Sequence, residues 1–322
     1  MFKKVFKGGS KKSKDGPKES DRRKVMVVSA DHGLVGKRVL PGLASRKLLD
    51  VYAGVTDPNR FPDMDDVTVM KADMDDKNSL FKAFKSKKFD RVVIVTPGNR
   101  ADWAENALEA ADQCKATKFV VLISLVMAPV RETFFGDNYD DMEKAAKQYF
   151  PFGYCILRLP LLMDAMIPLC APSIRTSQSF KDPRDPEKPF RCIALQDVAT
   201  AVTHIITKPS QHMEKIYHLV GPSVTVAKQA DAITKAIGTK VTHEPEDYEQ
   251  YRETLEDAHV PEWSITGTLE IYKCIDEGNK WTNTKKAGDY EEITGEKPTS
   301  LLKWCQANEG HFEPEEEEDD VE

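Results

Sequence analysis

Six short strings of β-formers recur along the first half of the chain: KVMVVSA (24–30), DVYAGVT (50–56), VTVMKAD (67–73), DRVVIVTP (90–97), KFVVLIS (118–124) and YCILRLP (154–160). They are apolar on both faces, as strands are when helices cover a sheet from both sides, and most of the segments between them are long enough for a helix. Residues 101–115, ADWAENALEAADQCK, repeat apolar positions at helical spacing and are rich in Ala, Glu and Leu. This alternation predicts an α/β fold built on a doubly wound parallel sheet. One crossover is weak, because DPNRFPDMDD (57–66) holds two prolines and leaves little room for a helix.

After residue 160 the texture changes to a loop (RTSQSFKDPRDPEKPF), a helix (LQDVATAVTHIIT), a strand (KIYHLVG) and a second helix (AKQADAITKAIG). Residues 244–278 read as two amphipathic helices broken near Pro261. The predicted division is a nucleotide-type core over 24–160 and a smaller α+β C-terminal region over 161–312, with the strand near 215–221 returning to the main sheet. Charge marks the two ends. Residues 1–24 carry ten Lys or Arg against three acids, and residues 313–322 carry eight acids and no base. Such blocks predict disordered charged tails over 1–23 and 313–322. The first, MFKKVFKGGSKKSKDG, has a second reading as a weak contact with an anionic membrane surface.

The bulk numbers exclude several classes. A net charge of −7 over 322 residues argues against direct nucleic-acid binding, which needs clustered positive charge. No apolar run reaches the length of a membrane span, and the N-terminus lacks the apolar core of a secretory signal. The expected location is cytoplasmic, with the nucleus also open. Six scattered cysteines without C-x-x-C pairs suit neither a disulfide framework nor zinc. Seven histidines show no metal-binding spacing, so no metal site is expected.

The most informative local feature is the turn after the first string. In an open parallel sheet the first strand feeds a glycine-rich turn whose amides and helix N-terminus meet a pyrophosphate. Here VMVVS runs into ADHGLVG. Gly33 and Gly36 stand where the last two glycines of a G-x-x-G-x-x-G turn would, with Leu34 and Val35 between them, while Ala30 replaces the first. Ala30 restricts the turn's torsions, and Asp31 brings negative charge near the phosphate position. His32 can donate to a phosphate when protonated. Pro41 falls inside the following helix and predicts a kink. The alternative is a glycine turn that only packs helix on strand.

The glycine turn, VTDPNR, KADMDD, FVVLIS, GYCILRLPLLMDAMIP and ITGEKPTSLLKWCQ, taken in order, resemble the NmrA-like family of atypical short-chain dehydrogenases, over roughly residues 24–310. That resemblance implies a Rossmann fold that binds NAD(P). The family includes a fungal nitrogen regulator, NADPH-sensing regulators and small quinone or dye reductases. By the same resemblance Thr56, at the end of the second strand, stands where NADP-binding relatives usually have Arg. The family's nearby basic residue falls on Arg60, which favours NADP(H) slightly over NAD(H). Asp73 and Met74 would lie near the adenine, and Thr96 and Pro97 near the nicotinamide half. Asp73 is also a candidate helix cap.

Ketone reduction by such a fold needs a proton donor and a cation to lower its pKa. Ser124 ends the fifth strand as the family's Ser would, and Tyr139 is the candidate acid. Glu143 follows Tyr139 by four residues, and Lys144 is one position too far for a Tyr-x-x-x-Lys pair. The family's lone Lys falls on Tyr139 or Asp140, so its ammonium is missing. Three functions follow. The first is a nucleotide-sensing regulator with little or no dehydrogenase activity and a protein partner. The second is an NADPH-dependent reductase of quinone-like or aromatic carbonyl substrates. The third is a scaffold that binds no nucleotide.

Overall fold

The computed structural model describes residues 22–314, apart from 132 and 286. Both charged tails, except their inner ends, lie outside the described residues. A seven-stranded, wholly parallel sheet runs through the molecule. It comprises β1 (Arg23–Val28), β2 (Leu49–Val55), β3 (Val67–Lys71), β4 (Arg91–Ile94), β5 (Phe119–Leu125), β6 (Tyr154–Leu159) and, far later in sequence, Lys215–His218. The chain passes from β1 through α1 (Val35–Ala44) and on through α2 (Lys77–Lys87), α3 (Ala101–Gln113) and α4 (Phe134–Tyr149). Between β2 and β3 only a 3-10 turn forms, at Pro58–Arg60, as the two prolines predict.

Beyond β6 come β7 (Leu161–Leu162), α5 (Met166–Ser177), β8 (Ser179–Asp182), β9 (Phe190–Ile193) and α6 (Leu195–Thr207). The seventh strand of the main sheet is therefore β10. It is followed by β11 (Ser223–Val224), α7 (Val226–Ile237), β12 (Thr242–Pro245), α8 (Tyr248–Asp257), α9 (Glu262–Asp276), α10 (Asp289–Thr294) and α11 (Leu301–Ala307). In the main sheet the order is β10-β6-β5-β4-β1-β2-β3. The chain moves outward in both directions from the β4/β1 junction, which makes that junction the place where ligands enter such a sheet.

Both faces of the sheet are buried, which is why its strands read as apolar runs rather than alternations. One face packs Val25, Val27, Val93 and Val121 against Val39 and Leu40 of α1 and Val198, Val202 and Ile205 of α6. The other packs Met26, Val92 and Leu122 against Phe84 of α2, Leu108 of α3 and Met142 of α4. A third cluster lies around α5, α7, α9 and α11, with Ile174, Ile233, Ile275 and Trp304 among its members. Gly42 lets α1 approach α6 closely: a β-carbon there would stand 2.7 Å from Thr203 Oγ1. Helix α1 continues through Pro41, which sits on its exposed face, so the expected kink does not end the helix.

Candidate functional site

The turn leaving β1 is strained at Ser29, whose φ is +56°, and not at Ala30, which is buried without a positive φ. The tight bend has moved one residue upstream of the missing glycine. Gly33 takes φ +65° with open space around it, and Gly36 lies so close to Ala30 that a β-carbon would reach its Cα at 2.9 Å. One glycine supplies torsion and the other close packing. Leu34, largely exposed, precedes α1 and offers no side-chain cap, while Val35 and Gly36 are buried in the first helical turn. Amides at that helix end are left for an external acceptor, the arrangement that receives phosphate.

Two buried polar atoms on adjacent strand ends lack a protein partner, Ser29 Oγ after β1 and Asn99 Oδ1 after β4. Buried polar groups are nearly always satisfied, so this pair at the β4/β1 junction marks where a polar ligand fits. A nicotinamide dinucleotide suits these features: an open Gly33, an uncapped helix end and orphaned acceptors and donors in the crevice.

A charged and aromatic belt ties the loops on the β2/β3 side of the crevice together. Asp31 Oδ2 accepts the Thr56 amide at 2.9 Å, and Asp31 Oδ1 pairs with His32 Nδ1 at 3.0 Å. The His32 ring meets Trp103 edge-on, with centroids 4.8 Å apart. Trp103 Nε1 donates to Asp75 Oδ1 at 2.8 Å. Arg100 lies over the Trp103 ring and bridges Asp75 and Asp102. Hydrogen bonding to Asp31 holds His32 above its ordinary pKa, with the charges of Asp75 and Asp73 adding to it. Burial pushes the Asp31 carboxyl up, but His32 and the Thr56 amide outweigh it and leave the group below the usual carboxylate value.

The other predicted cofactor residues divide. Arg60 is 89% exposed and its Nε faces Asp57 at 3.5 Å, so the feature that favours NADP(H) is a surface ion pair. Asp73 accepts the Asp75 amide at 3.1 Å but does not cap α2; Asp76, in extended conformation, takes that role by accepting the Asn78 amide. Met74 is buried in the core against the sheet, so its side chain is packing material. Thr96 is buried and donates to Met142 Sδ at 3.2 Å, leaving Pro97 partly exposed at that strand end, with Gly98 buried behind it.

Against Gly98 lies Phe135, from the first turn of α4. A β-carbon at Gly98 would come within 2.6 Å of its ring, and one at Gly267 of α9 within 2.3 Å. The ring is thus wedged between two backbones, with Tyr139 one turn further along α4. Glu270 of α9 accepts the Phe134 amide at 2.6 Å and so helps cap the N-terminus of α4 beside Thr133.

Of the candidate catalytic pair, Ser124 is committed to a side-chain partner and Tyr139 lies partly buried beside Gly98. Ser124 donates to Glu143 Oε1 at 2.7 Å, and Arg158 grips both oxygens of that carboxylate at 2.8 and 2.7 Å. Glu143 is only 1% exposed, and the Lys147 ammonium stands 3.6 Å from it. Burial pushes the Tyr139 phenol up to about 12. Lys144 pairs with Asp140 and Asp141 on the outer side of α4. Sequence reasoning missed Arg158 as the partner of Glu143, along with Asp75, Arg100, Trp103 and Phe135, because each acts through a residue remote in the chain.

A family profile described as NAD(P)H-binding matches residues 32–209. Among curated proteins no sequence matches. Of solved structures, triphenylmethane reductase from Citrobacter sp. is similar at 22% identity and TM-score 0.75, covering 89% of this chain and 99% of that one. The NADPH-dependent quinone oxidoreductase from Escherichia coli, solved with NADPH, is similar at 19% identity and TM-score 0.71, covering 88% and 99%. The negative transcriptional regulator NmrA, in complex with NAD, is similar at 13% identity and TM-score 0.67, covering 89% and 95%. Likeness at such identities speaks to the fold.

Proposed function

We propose that this chain, which belongs to the NAD(P)H-binding, NmrA-like family of atypical short-chain dehydrogenases, is a nucleotide-responsive regulator with little or no dehydrogenase activity. The observation that carries the reading is the fate of the proton-donor position. The Ser124 hydroxyl is given to Glu143, the Glu143 carboxylate is saturated by Arg158, and the Tyr139 phenol is held up to about 12 by burial. A general acid needs a pKa near the working pH and an open path to substrate; the Tyr139 phenol fails the first requirement, and Ser124, buried and bonded to Glu143, fails the second. A bound nicotinamide supplies hydride chemistry in such folds. The residues here would hold its phosphates through Gly33, Leu34 and Val35 and face its far half with Pro97 and Phe135. Regulation then follows from whether the nucleotide is bound, read by a protein partner.

A second reading, reduction of quinone-like or aromatic carbonyl acceptors, draws on one observation. A cleft of about 580 Å³, lined by Pro129, Val130, Arg131, Asn279, Lys280 and Trp281, opens beyond the carboxyl end of β5. Quinones accept hydride with less acid assistance than ketones, so the missing ammonium does not rule this reading out.

Calorimetric titration of the purified protein with NADH and NADPH, with Gly33→Asp as control, tests the proposal. Aspartate tolerates positive φ better than most residues, so the variant keeps its turn while placing a carboxylate against phosphate. Heat with the native chain, none with the variant, and no nucleotide oxidation with simple quinones is the expected result. Turnover with quinones would favour the second reading. No heat with either nucleotide in folded protein would leave a scaffold.

A further inference from the structure

We infer that Asp31 makes the adenosine end of the crevice selective for the unphosphorylated dinucleotide, so that the chain takes NAD(H) in preference to NADP(H). The inference rests on the dinucleotide-binding reading above and adds to it which member of the pair is bound and by what residue.

In parallel α/β folds the choice is made at the carboxyl end of the second strand, where an acid accepts from ribose hydroxyls and repels a 2′-phosphate. Strand β2 ends at Val55 without an acid, and Thr56 follows. The acid arrives instead from the glycine turn. Asp31 Oδ2 sits 2.9 Å from the Thr56 amide, which places a carboxylate against the end of β2 and consumes an N–H that a phosphate oxygen could have used. The turn itself is built for a ligand, because Ser29 Oγ, two residues away, is buried with no protein partner.

The charges around this carboxylate point the same way. Asp73 and Asp75 lie near enough to act on His32. Arg100 is shared between Asp75 and Asp102. Arg60, the cation expected to meet a phosphate, is held by Asp57 at the surface. The His32 ring beside it is already engaged, because Asp31 occupies its Nδ1. A diol loses nothing in such surroundings and gains an acceptor, whereas a dianionic phosphate meets carboxylates whose partners are already taken.

The test is parallel titration of the full chain with NADH and NADPH at low ionic strength, repeated with Asp31→Asn. Asparagine keeps an oxygen for the Thr56 amide and removes the charge. The expected result is NADH binding about tenfold or more tighter than NADPH in the native chain, with the gap closing in Asp31→Asn mainly through tighter NADPH binding. Asp31→Ser, a shorter neutral acceptor, serves if the asparagine variant melts early, and should close the gap in the same way. NADPH binding equal to or tighter than NADH in the native chain overturns the inference and leaves the dinucleotide reading standing. A gap unchanged in a folded neutral variant overturns the role of Asp31. Absence of binding by either nucleotide overturns the underlying reading and the inference with it.

Discussion

His32 shares its proton with a carboxylate on the same turn, and the direction of its shift fixes a pH dependence. Its folded pKa lies above 6.5 because the hydrogen bond to Asp31 favours the charged ring, reinforced by the negative field of Asp75 and Asp73. The stabilisation this pair gives is therefore fully present below pH 6.5, down to the acid range where Asp31 takes up a proton, and is lost as pH rises through the raised value. A titration of the ring protons by NMR should show a midpoint above 6.5 in the native chain and a return toward it in Asp31→Asn. A native midpoint at or below 6.5 would mean that the pair does not form in solution. This contact was not legible in the sequence. Asp31 there reads as a liability for phosphate binding, and only folding brings it to Thr56, 25 residues on. The glycines were legible, because open torsion at Gly33 and backbone proximity at Gly36 are demands that only glycine meets. The consequence of losing the first glycine was not: the chain absorbs it by placing Ser29, not Ala30, in the left-handed region.

Among the elements, α4 is fixed by a buried charge. Its Glu143 reaches Ser124 on β5 and Arg158 on β6, so one carboxylate pins a helix to two neighbouring strands. Removing one partner of a buried pair leaves the other charge uncompensated, at a cost of about 3–5 kcal/mol, while replacing both with apolar groups can be close to neutral. Urea unfolding should therefore show Glu143→Leu strongly destabilised and Glu143→Leu/Arg158→Met largely recovered. Equal loss in the single and double variants would mean that packing, not charge compensation, sets the stability here. The strand and helix pattern of the first half was readable because parallel strands covered on both faces are continuous apolar runs, and the proline-bearing link after β2 was readable for the same local reason. Caps were harder. Asp73 and Asp76 offer the same side chain three residues apart, and the backbone conformation at Asp76 decides between them.

At the scale of the whole molecule, the sheet is finished by the later chain. Strand β10 supplies its edge beside β6, and α6 covers the face that α1 begins, with Val198, Val202, Ile205 and Ile206 in the same cluster as the β1 valines. A fragment ending at residue 160 would leave that face open to water. It should bind ANS and melt without a cooperative transition, in contrast to the full chain; a sharp cooperative melt of the fragment would show that the first half is self-sufficient. The sequence divides the chain near residue 160 because texture changes there, yet texture records local pattern and not which later helix closes an earlier face. The Phe135 ring joins the two halves in another sense. Seated on Gly98 and Gly267 with no methyl's width to spare on either side, it acts as a shim between the loop that leaves β4 and α9. Whatever lifts one glycine off the ring loosens its grip on the other, so the far wall of the molecule is mechanically within reach of the crevice.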